Sequence, residues 1–381
     1  MTAITIGNVF LSQSARALAQ DINAQKENMI KILYLYSELC PYNIPVLQCL
    51  VREYGAIIHV VSRDTNRSKP YLPPPIENVT YYKRSDFTSE QLLQLAQRMA
   101  PDLIYVSGWM DKGYLSTARR FKKLGIPVVT GFDDQWIGTL RQRLGVIAFR
   151  LYLSRFYSHA WVAGPRQYEF ARRLGFAKSA VIFDLLTCDR RVFASAAAVL
   201  QNTKSVYPKT FLYVGNFRLV KGTDILVKAF TTYRDKLGGN WKLICVGCGE
   251  LRPLLDNQRN VEVLDFMEQE ALGRLCAQAG VFILPSRLDQ WGVVVHEFAT
   301  AGLPLLVSAH VGAKDVFFIE GFNGVSYSDN APDLLAQGML ALSKKTDKEL
   351  YAMGENSRRL ASRIDPSISA ASLMSVIMHA R

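Results

Sequence analysis

A chain of 381 residues with 49% hydrophobic, 11% aromatic and 20% charged side chains has ordinary globular usage and length for about two domains, which excludes disordered, collagen-like and coiled-coil architectures. No stretch approaches the roughly 18 uninterrupted apolar residues of a membrane span. The net charge of +12 lies almost wholly before Lys209, so the first half favours anionic partners such as acidic lipid headgroups or a phosphorylated acceptor. No zinc-finger, RNP or basic-zipper pattern points to nucleic acid.

Residues 1–28 are polar and alanine-rich, lack the apolar core of a secretory signal, and read as an extension outside the fold. From Met29 onward, short runs rich in β-branched and aromatic residues at 31–36, 56–61, 102–107, 127–130, 159–162 and 180–183 predict strands. They alternate with helical periodicity at 45–54, 89–99, 112–124, 139–156 and 165–174. This is the pattern of an α/β domain with a parallel sheet, spanning 29–193. A small-residue and polar stretch at 194–208 reads as a linker. A second alternating series follows, with strands at 210–214, 242–246, 261–264, 281–284 and 305–308 and helices at 224–233, 251–257, 268–279, 296–301 and 313–319. It makes a second domain over 209–364. After Asp329 the pattern is purely helical (331–343, 347–364, 366–380), and the closing segment 365–381 is a helix that could return to the first domain. The expected fold class is therefore α/β: two doubly wound, Rossmann-like domains facing a central cleft, with a helical C-terminus.

Of the six cysteines, Cys245 and Cys248 alone form a C-x-x-C, with no second pair or His pair to complete a metal site. The thiols therefore read as reduced cysteines of a cytosolic protein. The five histidines form no ligand set, and His296 reads as structural.

Ligands of open parallel sheets sit beyond the carboxyl ends of strands, so motifs just after strands carry the most weight. After 210–214 comes Gly215-Asn216-Phe217-Arg218-Leu219-Val220-Lys221-Gly222-Thr223-Asp224. Gly215 allows a tight turn, Arg218 and Lys221 offer phosphate donors, and the following helix adds its positive end. Val246-Gly247-Cys248-Gly249 is a strand–glycine–helix turn without a dinucleotide fingerprint. The most specific segment is Leu284-Pro285-Ser286-Arg287-Leu288-Asp289-Gln290-Trp291-Gly292-Val293-Val294-Val295-His296-Glu297. Here two carboxylates eight positions apart flank a glycine turn and can face one ligand. The reading places Glu297 in the first helical turn, where the dipole would hold it as an anion suited to sugar hydroxyls. The amides of Gly292 to Val294 stay free for phosphate if a helix begins there.

The segment 207–330 resembles the nucleotide-sugar domain of glycosyltransferase family 4, retaining enzymes of the GT-B fold. The likeness lies in the G-R-L-x-x-x-K-G-like loop, the V-G-x-G turn and the P-S-x-x-E-x-F-G-like segment with its second acid. The resemblance implies that Lys221, helped by Arg218, contacts the donor diphosphate. It places Phe266, followed by Met267 after the same strand, beside the base, and Glu297 on the ribose. Asp289 with Gly292, Val293 and Val294 would meet the transferred sugar and phosphates. The chain departs from the pattern at Asn216, where an Arg is usual, and at Asp289, where a Glu is usual. In the first domain, Asp133-Asp134-Gln135-Trp136 resembles a D-[DN]-Q-W group, which implies that Asp133 or Asp134 lines the cleft.

These expectations give a donor-binding set of Gly215, Asn216, Arg218, Lys221, Phe266, Met267, Asp289, Gly292, Val293, Val294 and Glu297. The catalytic set is Asp133, Asp134, Asp289 and Lys221. No metal and no cofactor is expected beyond the nucleotide sugar itself. The expected activity is a retaining, metal-independent transfer to a saccharide or lipid-linked acceptor in cell-surface polysaccharide or glycolipid synthesis. The alternatives left open are a sugar-nucleotide epimerase of similar fold and a non-catalytic sugar-nucleotide or lipid-surface binding protein. Segment 138–157 interleaves Arg141, Arg143, Arg150 and Arg155 with apolar residues. It reads either as a core helix with a basic outer face or as an interfacial helix on anionic lipid at the inner face of the cell membrane.

Overall fold

Four of the five side chains of β1 (Lys31–Leu35) are buried, as expected of a strand covered on both faces by helices. The computed structural model describes residues 29–63, 71–195, 207–328 and 331–378. The readings of 1–28 as an extension and of most of 194–208 as a linker, together with Asp329 and His379, lie outside the described residues. The first sheet adds β2 (Ile57–Ser62), β3 (Val79–Lys83), β4 (Leu103–Ser107), β5 (Val128–Phe132), β6 (His159–Val162) and β7 (Val181–Ile182). All pairings are parallel, in the order β3-β2-β1-β4-β5-β6-β7.

Its helices are α1 (Ile44–Tyr54), α2 (Ser89–Met99), α3 (Lys112–Lys123), α4 (Leu140–Leu151) and α5 (Pro165–Leu174). Three of them, α2, α3 and α4, start where a side chain satisfies a free amide. Thr88 and Gln91 form a reciprocal capping box on α2, Asp111 accepts from the Tyr114 amide at 3.0 Å, and Thr139 accepts from the Gln142 amide at 3.3 Å.

The second sheet comprises β8 (Thr210–Val214), β9 (Lys242–Val246), β10 (Val261–Leu264), β11 (Val281–Leu284), β12 (Leu305–Ser308) and β13 (Gly324–Tyr327). It is parallel throughout, in the order β10-β9-β8-β11-β12-β13. It carries α6 (Thr223–Thr231), α7 (Gln269–Leu275), α8 (Val293–Thr300), α9 (Lys314–Phe317), α10 (Pro332–Ser343), α11 (Asp347–Ala361) and α12 (Pro366–Met378). Helix α12 packs on α1 of the first sheet, where Ser367 donates to Glu53.

Several elements differ from the sequence reading. β3 and β13 were not expected: β3 is a half-exposed edge strand and β13 opens on a glycine, so neither shows a buried apolar run. The helix expected at 251–257 is a single 3-10 turn, Arg252–Leu254, where the amides of Leu254 and Leu255 bond to the carbonyls three residues back, Leu251 and Arg252. The helix expected at 139–156 stops at Leu151, and α8 starts at Val293, three residues before its expected start.

Strand order reverses between β1 and β4 in one sheet and between β8 and β11 in the other. The loops leaving these four strands open toward one cleft, the place where a parallel sheet offers a ligand site. The two sheets meet tightly there. A Cβ built on Gly164 would lie 2.5 Å from the Trp291 ring and 3.6 Å from Val316. Gly164 heads α5 in the first domain, and Trp291 is 1% exposed. Gly164→Ala should therefore overpack the interface at a cost of about 1–3 kcal/mol and lower the melting temperature by several degrees with the far-UV dichroism unchanged. A wild-type melting temperature would contradict this packing.

Candidate functional site

The loop after β8 is fixed from both sides. The Phe217 amide donates to the Cys248 carbonyl at 2.8 Å, and the Leu251 amide donates to the Phe217 carbonyl at 3.0 Å. The glycine turn at 247–249 thus shapes the wall of the cleft. Gly222 adopts φ 72°, and a side chain there would strike the Pro285 carbonyl; this position requires glycine on both counts. Arg287 forks the Asp224 carboxylate at 2.6 and 2.7 Å and donates to the Leu219 carbonyl at 2.5 Å. The loops after β8 and β11 are thereby locked together. The outcome is the placement of Lys221, whose Nζ lies 2.8 Å from Asp289 Oδ2. Ser286 Oγ donates to the same oxygen at 3.3 Å.

The first domain holds the segment that carries Asp289. Gln135 donates from Nε2 to the Asp289 carbonyl at 2.9 Å, and its amide donates to Gln290 Oε1 at 2.8 Å. Gln167 Nε2 bridges the carbonyls of Gln290 and Asp133 at 2.5 and 2.9 Å. Arg166 forks Asp315 at 2.7 and 2.8 Å and reaches the Ala309 carbonyl at 3.0 Å. The sequence reading assigned no role to Gln135, Gln167, Arg166 or Arg287. Gln135 was visible only as part of the Asp-Asp-Gln-Trp segment, and the others carried no local signal.

A cleft of about 430 Å³ lies between these loops. It brings together Asp133, Gly215, Asn216, Lys221, Phe266, Met267, Asp289, Gly292, Val293, Val294 and Glu297. Arg218 is exposed outside this lining, and Asp134 lines the neighbouring hollow. Among the described lining residues Lys221 is the one cation. Val293 and Val294 open α8, so their amides have no intrahelical acceptor.

Glu297 departs from the sequence reading. Because α8 begins at Val293, Glu297 lies beyond the first turn and the helix dipole does not hold it as an anion. Burial dominates and raises its carboxyl to about 7, against the opposing hydrogen bond from Gln269 Nε2 at 3.0 Å. His296 beside it is structural. Its Nδ1 accepts the Cys188 amide at 3.3 Å, its Nε2 donates to the Ala361 carbonyl at 3.0 Å, and burial lowers it to about 4.

A second hollow of about 420 Å³ continues the cleft into the first domain and shares Cys40, Tyr42, Asp133 and Leu186 with it. Tyr36 and Tyr105 stand in its wall, stacked on Tyr34 at 5.5 and 4.4 Å. Asp133 sits where the two hollows join, reached by water through the cleft but walled elsewhere by protein. This crowding, reinforced by repulsion from Asp134, raises its carboxyl to about 6. Burial also raises Asp134, against the pull of Arg141. Cys245 is buried and Cys248 exposed, so the C-x-x-C thiols occupy different environments.

Residues 200–360 match the family model described as glycosyl transferases group 1. The match takes in the second sheet and most of its helices. An uncharacterized glycosyltransferase of Methanocaldococcus jannaschii is 29% identical over 138 residues, covering 34% of this chain and 35% of that protein. The chain thus spans about a third of that relative's length. Among solved structures, Anabaena HepE in complex with UDP and glucose aligns with a TM-score of 0.68 at 16% identity, over 92% of this chain and 99% of that one. Sucrose-phosphate synthase of Thermosynechococcus elongatus aligns with a TM-score of 0.69 at 14% identity, over 92% and 99%. These likenesses show the fold, GT-B.

The raised Glu297 carboxyl has a consequence for stability. Its folded value of about 7 exceeds the ordinary 4.5, so the folded state binds the extra proton between those values. Stability from this group is complete below about 4.5 and is lost as pH rises through 7, by roughly 3 kcal/mol in all. Glu297→Gln, neutral at every pH, should therefore gain melting temperature over wild type at pH 8 and show little gain at pH 4.5. A gain that is the same at both pH values would contradict a buried, proton-holding Glu297.

Proposed function

We propose that the protein is a retaining, metal-independent glycosyltransferase that moves a sugar from a nucleotide diphosphate sugar to a saccharide or lipid-linked acceptor. Its setting is cell-surface polysaccharide or glycolipid synthesis on the cytoplasmic side. The observation that carries this reading is the convergence of Lys221, Asp289, Glu297 and the first amides of α8 on one cleft of about 430 Å³, within a glycosyltransferase domain of GT-B fold.

In this reading the donor diphosphate takes Lys221 from Asp289 and extends onto the Val293 and Val294 amides. These groups are already in place before the sugar–phosphate bond breaks, so they stabilise the charge that develops on the leaving diphosphate without reorganising. Glu297 accepts from the ribose hydroxyls, while Phe266 and Met267 lie against the base. Gly215 and Asn216 form the floor beneath the diphosphate, and Arg218 remains at the rim. Released from Lys221, Asp289 faces the transferred sugar. The acceptor enters through the tyrosine-walled hollow. Its hydroxyl meets Asp133, whose value near 6 leaves it a competent proton acceptor at neutral pH; Asp134 lines the acceptor side. The Anabaena neighbour holds UDP and glucose, which puts uridine diphosphate sugars first among the donors to test.

A panel of labelled nucleotide sugars, incubated with and without a lipid extract, separates the readings. Transfer that needs an acceptor and survives chelator supports the proposal. Acceptor-free conversion of the donor assigns an epimerase, and binding without turnover of any donor assigns a binding protein. Because a hydrogen bond to a charged group is worth about 1.5–3 kcal/mol, Lys221→Ala should weaken donor binding and turnover ten- to a hundredfold. Wild-type donor affinity in that variant would remove Lys221 from the diphosphate site.

A further inference from the structure

Helix α4 exposes the wrong face for a helix of a soluble core. Leu140, Leu144, Ile147 and Leu151 are 73%, 58%, 55% and 71% exposed, and their spacing of four, three and four places them on one stripe. Phe149 is the helix's one buried residue. Among the described residues nothing packs on the stripe. No acid occurs between Gly138 and Tyr157, while Arg141, Arg143, Arg150 and Arg155 flank the leucines.

Beside the stripe lies a shallow hollow of about 470 Å³ lined by Trp136, Arg143, Val146, Arg150 and Arg173. Its arginines are held in place. Arg143 Nε donates to the Gly138 carbonyl at 3.1 Å, and Arg150 Nε donates to the Arg173 carbonyl at 2.8 Å. Arg173 stacks on Trp136 at 4.6 Å and pairs with Glu169 at 2.7 Å. Both bonds from Arg143 and Arg150 use Nε, so their terminal nitrogens remain available to an anion.

We infer that this face of α4 seats on a bilayer surface rich in anionic lipid, the stripe entering the acyl boundary and the arginine hollow taking a headgroup phosphate. Apolar side chains bordered by positive charge with no acid among them match that surface on both counts. A second copy of the chain is a poor occupant, because a symmetric contact would bring the same arginines face to face. The placement also has a use. Gln142 of α4 donates to the Gln135 carbonyl at 2.8 Å and accepts the Ile137 and Gly138 amides at 2.9 and 3.0 Å. The helix is thus tied to the loop that carries Asp133 and Asp134, and docking would set the acceptor hollow beside the lipid.

The test is co-sedimentation of the full chain with phosphatidylcholine vesicles, with and without about one third phosphatidylglycerol, at low and high salt. Binding to the anionic vesicles that salt releases is the expected result. Since each basic residue near such a surface contributes about a fivefold factor, Arg143→Gln with Arg150→Gln should weaken binding roughly thirtyfold. The corresponding lysine variants should restore most of it. Leu144→Ser with Ile147→Ser should also release the protein, with nucleotide binding unchanged as the control for an intact cleft. Equal binding to neutral and anionic vesicles, or indifference to both pairs of substitutions, would overturn the proposal. So would a concentration-dependent dimer that the serine variants dissociate without vesicles.

Discussion

The ion pair between Lys221 and Asp289, at 2.8 Å, joins the loop leaving β8 to the loop leaving β11, the two strands between which the second sheet reverses its order. Neither partner is held by the pair alone. Arg287 and Gly222 fix the backbone beneath Lys221, while Gln135 and Gln167 reach across from the first domain to hold the carbonyls of Asp289 and Gln290. A partly buried pair of this kind contributes little net stability, because desolvation offsets most of the attraction. Its importance is positional: it keeps a cation in the lining of the cleft and, in the function proposed above, gives it a carboxylate from which a diphosphate can take it.

The electrostatics of the cleft follow from that arrangement. Lys221 shares the cleft with Asp133, Asp289 and Glu297, and burial pushes Asp133 up to about 6 against the pull of Lys221 and Glu297 up to about 7. Both therefore change charge near neutral pH, Asp133 where the two hollows join and Glu297 in the wall of the cleft of about 430 Å³. The positive charge of the first half is spent elsewhere. Arg143, Arg150 and Arg173 gather around Trp136, while Arg141 pulls on Asp134 and Arg63 stands in the wall of the tyrosine-lined hollow. The global charge of the chain thus does not describe the cleft of about 430 Å³, where Lys221 is the one cation among the described lining residues.

Much of this was legible in the sequence, for a physical reason. Parallel strands buried on both faces produce continuous apolar runs, and ligand loops follow strand ends. The residues after 210–214 and 281–284 could therefore be singled out before any geometry was known, and the structure gathers most of them in one cleft. What stayed hidden depends on distance in space. Gln167 and Asp289 are brought together by two domains, and no periodicity marks a glutamine that will bridge two carbonyls. The state of Glu297 was misread because a start error of one helical turn moves a side chain from the dipole's reach into the core. In α4, the same leucine spacing fits a core-facing and a solvent-facing helix, so only the exposure of Leu140 and Leu151 in the fold decides between them.

The central claim is that Lys221 exchanges Asp289 for a donor diphosphate. It is tested most directly by a crystal structure of the protein with a nucleoside diphosphate bound, uridine diphosphate being the first choice. The account predicts the β-phosphate on Lys221 Nζ with the Asp289 pair broken, the phosphates against the Val293 and Val294 amides, and the ribose hydroxyls on Glu297. A bound diphosphate beside an intact Lys221–Asp289 pair, or one seated away from the start of α8, would contradict it.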